Sequence, residues 1–238
     1  MFNRIGSLLA IVFAVLFLSN NPVAFAQSGG RNQPGKFDFY VLALSWSPTF
    51  CDSQRTASRQ PDPQCGARPY AFVVHGLWPQ YEHGYPSYCQ VPAPRLDRTT
   101  VSSVLDVMPS PRLVFHEWDR HGTCSGMNAQ NYFAAVHKAR AAVKIPPQYV
   151  ALAAPLTVTP AEVEDAFAKA NPGLSRSAMA VVCDSKRLRE IRVCLGKNFG
   201  FHDCAEVARA TCQRASVLMP PMRGQGRSEA AALQPSVH

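Results

Sequence analysis

The chain has 238 residues, 47% of them hydrophobic, and carries 24 basic against 16 acidic residues, a formal net charge of +8. That length fits one large domain or two small ones, and no segment after residue 26 is long and apolar enough to span a membrane. The basic excess is compatible with a polyanionic partner such as nucleic acid but is weak grounds for one.

Residues 1–26 carry Arg4, an apolar run from Ile5 to Leu18 and the small-x-small triplet Ala24-Phe25-Ala26. This is the pattern of a cleaved secretory signal peptide. Its removal would take away Arg4 alone, leaving 23 basic against 16 acidic residues, net +7 on 212 residues. Export predicts a periplasmic or secreted protein, soluble and without a membrane span. All eight cysteines lie beyond the leader, so the default reading is four disulfides formed in an oxidising compartment. No two cysteines stand at the CxxC spacing of a zinc site, and spacing alone leaves on the order of a hundred connectivities.

After a polar linker over 27–36, Phe37–Trp46 reads FDFYVLALSW and predicts a buried strand. Cys51–Arg68 is rich in Asp, Ser, Gln, Arg and Pro and predicts a loop. Tyr70–Val74 predicts a short strand that delivers His75 at its end, ahead of Gly76-Leu77-Trp78-Pro79-Gln80. A histidine at a strand end is well placed for rigid positioning. Irregular Pro-, Tyr- and Gly-rich chain follows to Pro94, and loops of that length are often functional.

Leu96–Met108 predicts a short helix stopped by Pro109 and Pro111. The next stretch, LVFHEWDRHGTC from Leu113 to Cys124, crowds polar groups onto a core-forming segment, which is costly unless they have a purpose. At about 100° per residue, Glu117 and His121 share one helical stripe and His116 and Arg120 the neighbouring one. Phe115 and Trp118 are expected to hold this helix in the core, and Gly122 to end it. Asn128–Val143 predicts a packing helix. Thr159-Pro160-Ala161-Glu162 is a capping box that opens another, closed by Asn171-Pro172-Gly173. Met179–Cys183 and Leu188–Leu195 predict strands; in the second, Leu188, Glu190/Ile191 and Val193/Leu195 alternate with Arg189 and Arg192. Residues 213–238 are expected to be a disordered tail. With strands at both ends, helices between and no repeat, the chain predicts a single α+β domain over 37–212, an antiparallel β-sheet with helices mainly on one side.

Two imidazoles on separate rigid elements can face one substrate from opposite sides. In-line phosphoryl displacement needs that arrangement, one histidine accepting a proton from the nucleophile and the other donating one to the leaving oxygen. Glu117 is suited to orient an imidazole, and His116 and Arg120 to neutralise phosphate charge. The segments FVVHGLWPQ and HEWDRHGTC resemble, in order and spacing, the two signature segments of the ribonuclease T2 family, particularly its exported bacterial branch. The resemblance runs from Tyr40 to Cys212 and includes the CxxxxxxLREIRVC pattern around Cys183 and Cys194.

The resemblance implies that His75 is the general acid and His121 the general base, with Glu117 assisting and His116 binding phosphate. It implies an endoribonuclease for single-stranded RNA that needs no metal or cofactor and makes a 2′,3′-cyclic phosphate and then a 3′-phosphate. DNA, lacking the 2′-hydroxyl, would be untouched, and a monomer is expected. It further implies the pairs Cys51–Cys65, Cys89–Cys124, Cys183–Cys212 and Cys194–Cys204. Two positions depart from the family pattern: Arg120 stands where many members have lysine, and Gln80 where many have a base-contacting acid. Trp78, Gln80 and Tyr85 are the candidates to hold a base. Taken alone, Trp78 and Trp118 read as core residues and His75 as a satisfied core histidine; the paired motifs outweigh that.

Two rivals stand beside this reading. HEWDRH superficially resembles the zinc motif HExxH, but His116 and His121 are five residues apart and diverge by about 140° around a helix. The alternative from a different class is a catalytically silent RNA-binding or interaction protein on the same fold.

Overall fold

The computed structural model describes residues 32–54 and 62–222, so the leader, most of the linker and the last 16 residues lie outside the described chain. Strand β1 (Phe39–Trp46) runs into helix α1 (Ser47–Gln54) and is followed by β2 (Phe72–Gln80), α2 (Arg98–Ser102), α3 (Pro111–Arg120) and α4 (Ala129–Ala142). Then come β3 (Leu156–Val158), α5 (Pro160–Ala170), β4 (Met179–Cys183), β5 (Leu188–Leu195), α6 (Ala205–Arg209) and β6 (Val217–Met219). Four strands form an antiparallel sheet in the order β2-β1-β5-β4, and β3 pairs with β6 in a separate ribbon. This is the α+β class with an antiparallel sheet that the sequence predicts.

The central strand β1 is apolar at every position but Ser45, because an apolar cluster packs on each of its faces. On one face Leu42, Leu44, Leu77, Ile191 and Val193 join Trp118, Phe133 and Phe167 of the helices in the main core. Each fully buried side chain of that size contributes about 1.5–3 kcal/mol. The other face carries a smaller cluster of Phe39, Val41, Ala180 and Cys194 under Val207 of α6, with Trp78 at its margin. That second face is only partly covered, and the site lies on it.

Four disulfides join Cys51 to Cys65, Cys89 to Cys124, Cys183 to Cys212 and Cys194 to Cys204. The capping box at Thr159 forms as the sequence predicts, Thr159 accepting from Glu162 N while Glu162 accepts from Thr159 N. β4 and β5 span the predicted residues.

Several expectations are corrected. Residues 51–54, the start of the predicted loop, belong instead to α1, with Pro48 in the first turn where its missing N–H is tolerated. Within Leu96–Met108 only Arg98–Ser102 is helical, started by Asp97, whose carboxylate accepts from Thr100 N at 2.7 Å. β2 does not end at Val74 but continues to Gln80, so His75 sits inside a strand. Pro79 fits there because β2 is the sheet edge, where no partner needs its N–H. Phe115 is 47% exposed and lies on the outer face of α3, leaving Val114 and Trp118 to anchor the helix. The chain also stays ordered beyond residue 212: β6 pairs with β3, Trp46 Nε1 donates to Pro220 O at 3.0 Å, and Met222 N donates to Leu152 O at 2.8 Å. The remainder of the predicted tail lies outside the described residues.

Candidate active site

The pairing of β1 with β2 is interrupted at one point. Ala43 faces Gly76 and Leu44 faces Val74, so His75 is an extra residue in β2, a β-bulge. In a regular strand His75 and Trp78, three residues apart, would point to opposite faces. The bulge turns both onto the open face, where their rings meet edge to face at 5.3 Å. Gly76 between them is sterically required, since a Cβ there would overlap both the Glu117 carboxylate and Trp78 Nε1. Its absence lets Trp78 Nε1 donate to Glu117 Oε2 at 2.7 Å across the gap between sheet and helix.

On the helical side, α3 ends at Arg120. His121 is its C-cap, with its amide donating to Glu117 O at 3.0 Å, and a 3-10 turn follows over Gly122–Ser125. The His121 ring is 7% exposed and lies 5.3 Å from Trp78, tilted by 31°. Trp78 is thus a spacer with one histidine at its edge and the other beside its face. The Cys89–Cys124 disulfide ties the turn after His121 to the loop that carries Tyr85, whose ring is 6.4 Å from His121.

His75 has carboxylates on both sides. Its Nδ1 is 2.7 Å from Glu190 Oε2, while Nε2 is 3.7 Å from Glu117 Oε1, beyond hydrogen-bond reach. Glu190, 5% exposed, also accepts from Arg192 Nε at 2.8 Å and from Ser45 Oγ at 3.5 Å. The Arg192 guanidinium in turn lies 5.0 Å over the Trp78 ring. Burial would depress the His75 imidazolium, but the hydrogen bond and charge of Glu190, helped by Glu117, outweigh it and raise its pKa above 6.5. Burial likewise opposes ionisation of Glu190, yet His75 and Arg192 hold its carboxyl below the usual range. The Nδ1–H that Glu190 accepts leaves Nε2 as the end of His75 able to pass a proton to a substrate.

His121 has the opposite environment. Burial, and then the positive charges of Arg120, His116 and His75, bring its pKa down to about 3, so it is neutral at ordinary pH. Its Nδ1 and Arg120 Nε are buried without a hydrogen-bond partner among the described residues. Glu117, 1% exposed, is pushed up to about 7 by burial, against the pull of the His75 charge and the Trp78 hydrogen bond. An imidazole with a raised pKa and one with a depressed pKa, each 5.3 Å from the same indole, have the environments that suit a proton donor and a proton acceptor.

Next to this centre a groove of about 970 Å³ runs between α3 and β5. His75 and His116 line it, whereas His121, Glu117, Trp78 and Tyr85 do not. The predicted site residues therefore divide in two: His75, Trp78, Glu117, His121 and Tyr85 meet at the sheet edge, while His116 faces the groove. Arg120 lies over the Tyr88 ring at 5.9 Å, and Gln80 is buried at the end of β2, outside the groove. Glu117, expected to share a stripe with His121, bonds Trp78 and faces His75. Glu190 and Arg192 were not singled out from sequence. The available signal was an acid within an apolar, cysteine-flanked strand, next to the inward Ile191. Among the described residues no cluster of three or more His, Cys, Asp or Glu side chains is arranged to hold a metal ion.

A disulfide-stapled α+β domain with paired imidazoles at a sheet edge is of the class that carries the groups for acid–base chemistry. The family model of Ribonuclease T2 matches residues 37–204, and the chain belongs to that family. It is similar to a ribonuclease of Aeromonas hydrophila, 44% identical over 102 residues covering 43% of this chain and 44% of that protein. It is also similar to a probable ribonuclease of Haemophilus influenzae, 38% identical over 130 residues, 50% of this chain and 48% of that one. The chain thus spans about half the length of these curated relatives. Among solved structures, an RNase-related protein from Calystegia sepium has the same fold, with a TM-score of 0.63 at 21% identity over 79% of this chain and 98% of that one.

Proposed function

We propose that the protein is an endoribonuclease that cleaves single-stranded RNA by metal-independent transphosphorylation. The observation that carries this reading is the pair of imidazoles that meet at Trp78: His75, whose Nδ1 lies 2.7 Å from Glu190 and whose pKa is raised, and His121, buried with its pKa lowered to about 3. Neutral His121 takes the proton of the 2′-hydroxyl as its oxygen attacks the adjacent phosphorus. His75 gives its Nε2 proton to the departing 5′-oxygen, leaving a 2′,3′-cyclic phosphate. In the second half water replaces the leaving alcohol, the proton transfers reverse, and a 3′-phosphate results. His116 and Arg120 stabilise charge on the phosphate oxygens, and Glu117 supports the His75 imidazolium as negative charge develops. Trp78 and Tyr85 form the surface for the base on the His121 side; Gln80, buried and neutral, offers its amide rather than a carboxylate. DNA, without the 2′-hydroxyl, is not cleaved. Four disulfides and the leader-like N-terminus support a periplasmic or secreted location, and the reading is of a monomer.

The test is product analysis with purified protein and excess chelator. The expected result is a 2′,3′-cyclic phosphate that gives way to 3′-phosphate ends, lost in His75→Ala and His121→Ala variants that keep their fold. Full cleavage by folded His121→Ala, or activity that requires added metal, would overturn the mechanism. RNA binding without cleavage would favour the silent binding protein instead.

A further inference from the structure

We infer that the groove between α3 and β5 receives the RNA chain on the 3′ side of the scissile phosphate, and that Arg112 and Arg189 form a subsite for the phosphate following the leaving nucleoside. The inference rests on the proposed cleavage reaction and adds strand polarity and a second phosphate contact to it.

Polarity follows from which histidine the groove contains. His75 lines it and His121 does not. The oxygen that His75 protonates belongs to the 3′ nucleoside, so the strand leaving the centre through this groove is the 3′ one. Its size also exceeds a single contact: at about 970 Å³ it lies at the upper end of the ~300–1,000 Å³ typical of ligand pockets.

Charge supplies the second part. Among the described residues two carboxylates line the groove, and both are engaged. Asp62 accepts from Ser110 Oγ at 2.6 Å and from Gln64 N at 2.9 Å, and Glu190 holds His75 and Arg192. Among the described residues, the groove arginines outside that network are Arg112 and Arg189. Arg112 is exposed and has no ion pair among the described residues. Arg189 is 42% exposed and its paired carboxylate, Asp184, is 4.0 Å away. Arg112 and His116 stand at i and i+4 on α3, about 6 Å apart along the axis, a step of the size separating successive phosphates on a strand. With His116 at the scissile phosphate, Arg112 meets the next one, and Arg189 faces it from β5. Arginine suits this position because its planar fork matches phosphate oxygens.

The experiment compares kcat/KM at low salt for a dinucleoside monophosphate and for the same dinucleotide bearing a terminal 3′-phosphate. The phosphorylated substrate is expected to be about five- to tenfold better, the size of a solvent-screened arginine–phosphate contact. In Arg112→Ala/Arg189→Ala that ratio falls to about one while the rate on the unphosphorylated substrate is unchanged. Equal rates in the wild-type protein, or an advantage that survives in the double variant, would overturn the subsite. Failure of the cleavage reading looks different, because then neither dinucleotide is cut. In that event the affinities of the two 2′-deoxy dinucleotides decide: tighter binding of the phosphorylated form, lost in the double variant, supports the subsite, and equal affinity overturns it.

Discussion

Replacing Glu190 with glutamine removes one charge from beneath His75 and changes little else in shape. The carboxylate lies 2.7 Å from His75 Nδ1 and is 5% exposed, so the bond is charge-assisted and partly shielded. Hydrogen bonds to charged groups contribute about 1.5–3 kcal/mol against about 0.5–1.5 for neutral ones. The His75 side chain is 37% exposed, and solvent screening keeps the difference near the low end, about 1–1.5 kcal/mol. At 1.36 kcal/mol per unit, that lowers the His75 pKa by about one unit. In the proposed reaction His75 must be protonated as the general acid, so the high-pH limb of kcat/KM should move down by about one unit in Glu190→Gln, with Glu190→Asp restoring part of the shift. The same pair affects stability with a defined sign. His75, raised above 6.5, stabilises fully below that pH and less as pH rises through its folded value; Glu190, held below 4.5, stabilises above that pH and less as pH falls. The pair thus contributes most between about pH 4.5 and 6.5, and the melting temperature of Glu190→Gln should differ from wild type most in that window. A high-pH limb unmoved in a folded Glu190→Gln protein, followed by NMR titration of His75, would refute the assignment of Glu190 as the residue that keeps His75 charged.

His121, with its pKa near 3, should leave the low-pH limb of kcat/KM far below the ordinary imidazole range, so activity should persist at about pH 5; a limb near 6.5 would contradict the buried, neutral base. Because that pKa is depressed, the unfolded chain binds the His121 proton first and stability falls as pH drops below 6.5; Glu117, raised to about 7, acts in the opposite sense above 4.5, so the slope of stability against pH between about 4.5 and 6.5 should change in opposite directions in His121→Ala and Glu117→Gln, as followed by denaturant unfolding. Gly76→Ala should destabilise by about 1–3 kcal/mol, as overpacking does, and weaken activity by driving Glu117 and Trp78 apart; a denaturation midpoint and Trp fluorescence equal to wild type would count against the close approach. Replacing Cys89 and Cys124 together by serine releases a bridge of sequence separation 35, worth about 4 kcal/mol in the chain-entropy account, and should loosen the Tyr85 loop enough to raise KM more than it lowers kcat.

Much of the fold can be read from local pattern because local chemistry and tertiary packing agree there. α5 carries its own capping box, α4 its Asn128 cap, and β4 and β5 their apolar runs between cysteines. α1 is different: SPTFCDSQ has no apolar stripe, and it is helical because the core takes Thr49 and Cys51 while the Cys51–Cys65 bridge holds it. In the site, the two histidines and Glu117 stand out through rare residue types in paired motifs, but their contacts do not. Helical periodicity alone placed Glu117 beside His121, whereas the helix stops at Arg120 and Glu117 is held across the gap by Trp78. Glu190 was hidden because strand alternation cannot tell which face is dry, and its partner His75 lies 115 residues away.

The bulge in β2 makes the site depend on a count of residues as well as on their identity. Substitutions on either side of His75 leave the phase of the strand intact, so they act one at a time. Loss of any one residue between Val73 and His75 would instead restore an even ladder with β1. Val74 would lose its place against Leu44, and either the imidazole or the indole would turn toward the core while the sheet itself could still form. Such a chain would be well folded and chemically empty. A one-residue length change at this point would undo the site as directly as replacement of a histidine.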